Sequence, residues 1–299
     1  MIFVHDKGRM ANNMLQYGHV YAWGREHCRK TMSMRFAYKY PYFNICNTPH
    51  HNFPTYLFAK YAAKWGLIPL VQFNDEDGDY THEEQIMLNS KLVMATGWYA
   101  RWYDLFLKYK EEIINLFSFK EEIERRVTDI MGERKGLPSA EEKPETLFYK
   151  TSAYSGSLRL GVHIRRGDYA NFYGGRFFYS DEQYVRIIQR FCSLFPKEQI
   201  QVYICGNDPK IQKGYYHSQL EKTDKTSRQQ PVTVVFPEGN PGEDLCLLSH
   251  CDYLIGAPST FSLVASLYHD LPLYWIEDAD KEFSTDDFRH FDYLFRHIY

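Results

Sequence analysis

The 299 residues are enough for two compact domains of ordinary size. With 44% hydrophobic and 24% charged residues, the composition is that of a folded globular protein and excludes a disordered chain. The net charge of −3 gives no general attraction to nucleic acid or anionic lipid, so a site for an anion must come from locally clustered cations. Such a site suits a small phosphorylated ligand better than a polymer.

The chain begins with a pattern that predicts a strand followed by a helix. Ile2–His5 is a short apolar run, and apolar residues at helical spacing follow from about Asn12 to Lys30. A strand, a loop containing Gly8 and the start of a helix together form a ready site for an anion. Many loops of this kind bind nothing, so the pattern by itself is weak evidence.

The rest of the first half mixes strand and helix patterns. Helical patterning dominates from Thr81-His-Glu-Glu84, which resembles a capping box, to about Val127, with breaks near Gly97 and near Ser118. The aromatic residues from Trp98 to Tyr103 fit a helix–core interface better than a surface that stacks on sugars. Two further strands are predicted, at Met32–Phe36 and Gly66–Phe73.

An acidic sequence, Asn74-Asp-Glu-Asp-Gly-Asp79, follows the strand predicted at Gly66–Phe73. Asp-x-Asp after a strand is a metal–nucleotide signature in other folds, so this sequence has to be considered as a metal site. It also begins like a calcium loop, but it lacks the Gly at the sixth position and the final Glu. We favour an acidic surface loop.

The second half alternates strands and helices more regularly, which predicts a parallel sheet covered on both faces. It follows a segment, Gly132–Thr151, whose Lys, Glu, Pro and Gly content predicts an interdomain connection. Ser180-Asp-Glu-Gln183 is predicted to cap a helix that runs to about Leu194. Strands are predicted at Arg159–Ile164, Gln201–Cys205, Val232–Phe236, Tyr253–Ile255 and Leu271–Trp275, and helices begin near Glu243, Ser259 and Asp286.

Two adjacent arginines, Arg165 and Arg166, stand at the C-terminal end of the strand Arg159–Ile164. Guanidiniums there are costly to desolvate unless an anion meets them, and strand ends in open α/β sheets are where ligands bind. The planar fork of Arg also suits phosphate oxygens. The alternative is an exposed turn in which Asp168 pairs with one arginine, and the charge pattern does not choose between the two. Because side chains alternate along a strand, His163 faces the same way as Arg165.

Three motifs, in this order, resemble those of the α-1,2-fucosyltransferases and their α-1,6- and protein O-fucosyltransferase relatives. Gly8-Arg-Met-Ala-Asn-Asn-Met-Leu-Gln-Tyr17 is similar to the N-terminal Gly-x-x-Gly-Asn-Gln-Met-x-Gln-Tyr loop of that family. His163-Ile-Arg-Arg-Gly-Asp168 resembles its His-x-Arg-Arg-x-Asp motif. Glu243-Asp-Leu-Cys-Leu-Leu-Ser249 with Ala257-Pro-Ser-Thr-Phe-Ser262 resembles its Glu-Asp-x-x-Leu-Met-Ser and Asn-Ser-Thr-Phe-Ser block.

The resemblance implies a GT-B-like α/β fold, in which two Rossmann-like domains face each other across a cleft. Residues 1–150 would form an acceptor-side domain and residues 151–299 a donor domain for a GDP-sugar. The implied activity is inverting, metal-independent transfer of L-fucose from GDP-fucose to a hydroxyl of a galactoside-type glycan, with an α-1,2 linkage. The alternatives are a transferase for another nucleotide-sugar and a non-catalytic relative that binds one.

The resemblance also suggests the site residues. Arg165 and Asp168 are the catalytic candidates, and Asp6 or a donor phosphate oxygen competes with Asp168 for the role of base. From the residues alone, Ser259 fits a plain helix N-cap and Asp244 a first-turn acid. The donor-binding candidates are Asn12, His163, Arg165, Arg166, Asp244, Ser259, Thr260 and Phe261.

The expected partners are GDP-fucose and a glycan, with no cofactor and no metal. The six cysteines lack CxxC or zinc-type spacing, so we expect reduced thiols, several of them in the core. No stretch reaches the apolar length of a membrane span, and Met1–Met10 lacks the apolar core of a signal peptide. Golgi fucosyltransferases carry an N-terminal anchor, so we expect a cytoplasmic bacterial enzyme of polysaccharide biosynthesis. Peripheral association with a membrane stays open.

Overall fold

The structure is a computed structural model that describes residues 1–5, 7–132, 157–206, 208–221 and 231–298. Its first half contains a sheet of four parallel strands in the order β2-β1-β4-β3. These strands are β1 (Ile2–His5), β2 (Thr31–Ser33), β3 (Leu70–Gln72) and β4 (Val93–Thr96). The helices of this half are α1 (Met10–Glu26), α2 (Phe53–Lys64), α3 (Thr81–Asn89), α4 (Tyr103–Lys108), α5 (Lys110–Leu116) and α6 (Glu121–Met131).

The second half contains a sheet of five parallel strands in the order β7-β6-β5-β8-β9. The strands are β5 (Leu158–Ile164), β6 (Ile200–Gly206), β7 (Val232–Val235), β8 (Tyr253–Gly256) and β9 (Leu273–Trp275). The helices are α7 (Asp181–Leu194), α8 (Lys213–Leu220), α9 (Pro241–Ser249), α10 (Thr260–Leu267) and α11 (Phe291–Phe295). The α/β class with parallel sheets, predicted from the sequence, is confirmed.

Alternation along β1 explains how both faces of the first sheet are covered. Ile2 and Val4 pack in the apolar cluster that contains α1, whereas Phe3 packs in the cluster that contains α2. The first cluster continues without a break into α9, α10 and α11, for example through Leu263 and Phe291. A continuous core therefore joins the two halves of the described structure.

Each sheet has a point at which the order of its strands changes direction. In the first sheet β1 pairs with β2 on one side and β4 on the other. In the second sheet β5 pairs in the same way with β6 and β8. The loops at the carboxyl ends of two such neighbouring strands diverge and leave a crevice, which is where open α/β sheets bind ligands. The topology therefore points to the loops that follow β1, β4, β5 and β8.

The helical prediction from Thr81 to Val127 is wrong at β4, a strand that the chain forms between α3 and α4. The breaks predicted near Gly97 and Ser118 coincide with the loop after β4 and with the end of α5. All four residues of β4 are buried, and a short strand buried on both faces shows no alternation of apolar and polar residues. The capping box predicted at Thr81 is also wrong, because Thr81 is the first helical residue and Asp79 accepts a 3.0 Å hydrogen bond from its backbone amide. The capping box at Ser180 is confirmed, with reciprocal bonds to Gln183 of 2.8 and 3.3 Å.

The remaining expectations concern thiols, membranes and the domain connection. All six cysteines are free, and four of them are buried. No helix among the described residues is both long enough and apolar enough to cross a membrane. Of the connection predicted at Gly132–Thr151, residues 133–151 lie outside the described residues.

Candidate functional site

A cavity of about 740 Å³ is lined by loops from both sheets. The loop after β1 and the start of α1 contribute residues 8–12, and the loop after β4 contributes Trp98. On the other side, the loop after β5 supplies Arg165 and Asp168, and the loop after β8 with the start of α10 supplies residues 258–261. The cavity thus occupies the crevices that the strand order predicts in both sheets.

The wall from the first sheet is built by a tight turn and a helix start. Gly8 has φ +88°, and a Cβ there would lie 2.7 Å from the side-chain amide of Asn12, so only glycine fits this turn. The buried Gln16 fixes the same loop through two hydrogen bonds to the backbone of Lys7, of 2.7 and 3.1 Å. Asn12 accepts a hydrogen bond from Thr260 of α10, which ties the wall to the second half.

Arg165 faces the cavity with a side chain that is 16% exposed. Its Nη2 lies 2.8 and 2.9 Å from the two carboxylate oxygens of Asp168, and its guanidinium lies 5.2 Å from the ring centre of Tyr169. Burial lowers the pKa of Arg165, while the charge of Asp168 opposes that change. Nη2 of Arg9 lies 3.7 Å from the Asp168 carboxylate. Asp168 therefore contacts both guanidiniums and holds that of Arg165 in place.

Arg166, which the sequence predicts to bind the donor, is not among the residues that line the cavity. Its Nε donates to the carbonyl oxygen of Tyr179 at 3.0 Å, and its Nη2 lies 2.6 Å from Asp181. Its Nη1 lies 3.5 Å from Asp208. Consecutive side chains of an extended backbone point to opposite sides, so when Arg165 faces the cavity Arg166 faces the interior. The side chain of Arg166 forms a buried ion pair, and Arg166 is not part of the cavity lining.

His163, Ser259 and Phe261 form one contiguous part of the lining. The His163 ring stacks on Phe261 with 4.7 Å between ring centres, and its Nδ1 lies 3.3 Å from Ser259 Oγ. Burial, with a smaller contribution from the charge of Arg165, lowers the pKa of His163 to about 3. The imidazole is therefore neutral at physiological pH and acts as a hydrogen-bonding and stacking group.

Ser259 is the N-cap of α10, as its position in the sequence predicts. Its hydroxyl accepts from the backbone amide of Ser262 at 3.3 Å. The amides of the first helical residues, Thr260 and Phe261, have no partner within the helix, and both residues line the cavity. The positive end of the α10 dipole is thus directed at the cavity, in an arrangement that favours an anion.

Asp244 is a carboxylate of the lining that is mostly buried. It lies in the first turn of α9. Burial raises the pKa of Asp244 to about 6; the charge of Glu243 adds to the rise, and a hydrogen bond from the Cys205 thiol opposes it. Asp244 therefore changes its charge within the physiological range of pH.

Several residues of the lining were missed from the sequence. Arg9 and Lys39 add two cations, and Tyr40 and Trp275 add aromatic surface. Trp98, predicted at a helix–core interface, instead lies in the loop after β4 and lines the cavity, with the Arg101 guanidinium 4.0 Å from the centre of its ring. The signal for Arg9 was present, because it directly precedes a helix that starts after a strand and a Gly turn. Asp6, an alternative base, lies outside the described residues.

In the described part of the chain, neither the acidic loop after β3 nor the one cluster of possible metal ligands lines the cavity. Asp75, Asp77 and Asp79 are not part of its lining. One group of three possible ligands, Glu124, Cys246 and His250, has ligand atoms within 4.8 Å of one another, and it does not line the cavity either. These three already contact each other: the Cys246 thiol donates to Glu124 at 3.5 Å, and His250 Nε2 lies 3.4 Å from Glu124.

No protein-family model and no curated protein matches this sequence. The structure, in contrast, is similar to solved structures of fucosyltransferases. A mutant of FUT1 from Arabidopsis thaliana, in complex with GDP, matches with a TM-score of 0.62 at 12% identity, over 97% of this chain and 73% of that chain. NodZ from Bradyrhizobium matches at 0.50 and 13% identity, over 92% of this chain and 94% of that one. POFUT1 in complex with GDP-fucose matches at 0.51 and 10% identity, over 90% and 94%.

These likenesses concern the fold. The chain has the GT-B fold of these fucosyltransferases, as the motif resemblance implied. In a fold of this kind, function is carried by the site and must be argued from its residues.

Proposed function

We propose that this protein is a GDP-fucose-dependent fucosyltransferase. The observation that supports this most strongly is that residues from all three motifs line one cavity: Asn12 from the first, Arg165 from the second, and Asp244 and Ser259 from the third. The fold is that of solved fucosyltransferases, and solved neighbours hold GDP or GDP-fucose. The α-1,2 linkage to a galactoside-type glycan is the finer part of the proposal, and it rests on the motif resemblance alone.

The proposed chemistry is an inverting displacement at the anomeric carbon of fucose. The acceptor hydroxyl forms a bond to that carbon while the bond from the carbon to the diphosphate oxygen breaks, and the hydroxyl proton passes to a base. GDP leaves with the bonding electrons, so negative charge grows on its terminal phosphate. Arg165 and the amides at the start of α10 stabilise this charge, and Asp168 fixes the guanidinium.

In this proposal, the donor and the acceptor bind to different halves of the chain. Arg165, Asp244 and Ser259 belong to residues 151–299, which we assign to the donor. The facing wall, with Arg9 and Trp98, belongs to residues 1–150, which we assign to the acceptor side. The diphosphate would contact Arg165, and the guanine base would contact Asp244.

Nucleotide selectivity gives the first test. We expect calorimetry to show binding of GDP and no comparable binding of UDP. In incubations with GDP-fucose, GDP-mannose, UDP-galactose and UDP-glucose, we expect release of a nucleotide from GDP-fucose only. Release of UDP would favour a transferase for another nucleotide-sugar. Tight GDP binding without turnover on any acceptor would favour a non-catalytic relative.

The second test uses the titration of Asp244. A carboxylate can accept hydrogen bonds from both N1–H and the exocyclic amine of guanine, whereas a protonated carboxyl loses much of this capacity. Since the pKa of Asp244 is about 6, the acceptor form predominates above that pH. GDP affinity should therefore fall as the pH is lowered through about 6, and in Asp244→Asn this fall should be smaller, because only the terminal phosphate of GDP then still titrates in that range.

Inosine diphosphate is the matched ligand for this test, because it lacks the exocyclic amine. The wild-type protein should bind it about 10- to 100-fold more weakly than GDP, the range for one hydrogen bond to a charged group. Asp244→Asn should bind both nucleotides with similar, reduced affinity. If Asp244→Asn kept the wild-type preference for GDP over inosine diphosphate, Asp244 would not be the residue that contacts guanine.

The third test concerns metal ions. We expect transfer to survive excess EDTA, because Arg165 and the α10 amides supply the electrostatic stabilisation that Mg²⁺ or Mn²⁺ provides in other glycosyltransferases. The double variant Asp75→Asn with Asp77→Asn should keep wild-type turnover, since neither side chain lines the cavity. Loss of turnover on chelation, followed by recovery with Mn²⁺, would contradict the arginine-centred site.

A further inference from the structure

One segment of the chain is strongly basic in a protein whose net charge is negative. Between His27 and Asn74 there are six Lys and Arg and not one Asp or Glu. The whole chain, by contrast, has 38 acidic and 35 basic residues. The segment contains β2, α2 and β3. The first carboxylates after it, from Asp75 onward, follow the carboxyl end of β3.

The same segment carries most of the exposed apolar side chains. Of the ten large hydrophobic residues that are exposed in the described structure, seven lie between positions 38 and 70. The most exposed are Trp65 at 68% and Leu67 at 71%. We call their surface the α2 face, and it consists of Tyr38, Phe53, Phe58, Tyr61, Trp65, Leu67 and Leu70.

Contacts between rings connect four of the seven residues of the α2 face, Tyr38, Phe53, Tyr61 and Trp65, in two groups. Tyr56 packs against Tyr38 and Phe53, with 4.5 and 5.7 Å between ring centres. Tyr61 packs against Trp65 at 5.4 Å. Lys60 joins the two groups, because its Nζ lies 5.8 Å from the ring centres of both Tyr56 and Tyr61.

The apolar residues of α2 are distributed unlike those of an ordinary surface helix. The residues that it buries fully are the small Ala59 and Ala62, whereas Phe53, Phe58 and Tyr61 are 53%, 52% and 40% exposed. Phe58 also packs against Phe3 of β1, with 6.2 Å between ring centres. A helix of a soluble protein normally buries its large apolar residues and exposes polar ones. A contiguous apolar surface of this kind indicates contact with another apolar phase or partner.

We propose that the α2 face docks the protein onto the surface of an anionic lipid bilayer. Trp, Tyr and Phe are the side chains that settle at the boundary between headgroups and acyl chains. Lys60 and Lys64 are exposed on the same helix and can meet lipid phosphates. No carboxylate of the segment opposes them. A surface that combines aromatic residues with lysines and has no acidic residue is suited to binding an anionic membrane interface.

Charge argues against the same face pairing with a second copy of this chain. A two-fold interface would bring Lys60 and Lys64 close to their counterparts, and the segment holds no carboxylate to pair with them. A bilayer containing anionic lipid supplies the missing negative charge. Tyr38 of the face directly precedes Lys39 and Tyr40, which line the cavity, so a docked bilayer lies beside the cavity mouth.

Co-sedimentation with lipid vesicles tests the proposal. Wild-type protein should bind phosphatidylcholine vesicles that contain phosphatidylglycerol, bind pure phosphatidylcholine vesicles much more weakly, and dissociate as salt is raised. Phe58→Ser with Trp65→Ser should weaken binding to the anionic vesicles by about tenfold or more, because it removes two interfacial aromatic side chains. Lys60→Glu with Lys64→Glu should do the same by reversing two charges.

Matched substitutions elsewhere on the surface control for general effects. Tyr293 is 55% exposed outside the α2 face, so Tyr293→Ser should bind vesicles like the wild type. Lys197→Glu with Lys210→Glu makes the same charge change at two exposed lysines outside the segment and should have a much smaller effect. Circular dichroism spectra should be unchanged for every variant, because all the altered side chains lie at the surface. Only Phe58→Ser with Trp65→Ser should melt at a slightly lower temperature, because it loses the contact of Phe58 with Phe3.

Three results would overturn the proposal. The first is that the wild-type protein binds neither kind of vesicle. The second is that the α2-face variants bind like the wild type. The third is a dimer in lipid-free solution, seen by sedimentation velocity, that Phe58→Ser with Trp65→Ser dissociates, since the face would then belong to a second copy. The experiment uses neither GDP nor an acceptor, so its outcome is independent of the proposed transferase activity.

Discussion

Replacing Arg165 by Ala is expected to lower kcat/KM for fucosyl transfer by about 30- to 1,000-fold, or 2–4 kcal/mol, the range for a desolvated charge-assisted contact. Among the cations of the lining, Arg165 has a side chain only 16% exposed, whereas that of Arg9 is 59% exposed. Water therefore screens the interaction of Arg165 with a diphosphate less than it screens that of Arg9. The loss should appear in steady-state kinetics and in calorimetric titration with GDP.

Conservative variants separate charge from geometry at this position. Arg165→Lys should recover only part of the activity, because an ammonium cannot reproduce the bidentate fork of a guanidinium. Arg9→Ala removes the exposed arginine that also contacts Asp168, and it should lower kcat/KM less than Arg165→Ala does. The unfolding midpoint of Arg165→Ala should stay close to that of the wild type, since Asp168 is 54% exposed and such pairs contribute little to stability. If Arg165→Ala turned over substrate like the wild type, Arg165 would not be the central residue of the proposed site.

Asp168 should behave as a positioning residue for Arg165. Asp168→Asn leaves Arg165 in the cavity but removes the charge that its Nη2 contacts at 2.8 and 2.9 Å. We expect a smaller loss of kcat/KM than for Arg165→Ala, and a double variant that is no worse than Arg165→Ala alone. A loss in Asp168→Asn that exceeds that of Arg165→Ala, with GDP affinity unchanged, would instead favour Asp168 as the base.

The predictability of the fold depended on how each element is buried. β5 and β6 are seven residues long and lie in the centre of their sheet, so their apolar runs are clear in the sequence. The four residues of β4 are too few for a run to be distinguished from a buried helical turn. α2 was missed because the residues that it buries fully are the alanines Ala59 and Ala62, which give little periodic signal.

The predictability of the site depended on chain topology. The motif resemblance named residues far apart in the chain, and the strand order explains why they meet, since their loops leave neighbouring strands at the same edge. Lys39 and Trp98 reach the cavity through loops whose path is set by tertiary packing, so no local pattern marked them. The alternation that places His163 with Arg165 also predicts Arg166 on the opposite side, and this signal was present in the sequence.

The position of Arg166 leads to the opposite expectation from that for Arg165: its loss should destabilise the folded protein. In the native structure the side chains of Arg166 and Asp181 are 6% and 3% exposed and lie 2.6 Å apart. Asp181 also accepts hydrogen bonds from the hydroxyl of Tyr216 at 2.9 Å and from the backbone amide of Gln212 at 3.1 Å. Arg166→Ala leaves the carboxylate of Asp181 buried without its counter-charge, and the free energy of unfolding should fall by about 3–5 kcal/mol.

Urea denaturation of the single and double variants tests this expectation. Arg166→Ala with Asp181→Ala should be less destabilised than the sum of the two single variants, because the second substitution removes the charge that the first leaves unpaired. Arg165→Ala, one position away, is the matched control and should unfold like the wild type. If Arg166→Ala were instead as stable as the wild type and deficient in GDP binding, Arg166 would have to contact the nucleotide. That result is incompatible with a guanidinium enclosed by Tyr179, Asp181 and Asp208, so the pair of adjacent arginines tests the geometry of the site as well as its chemistry.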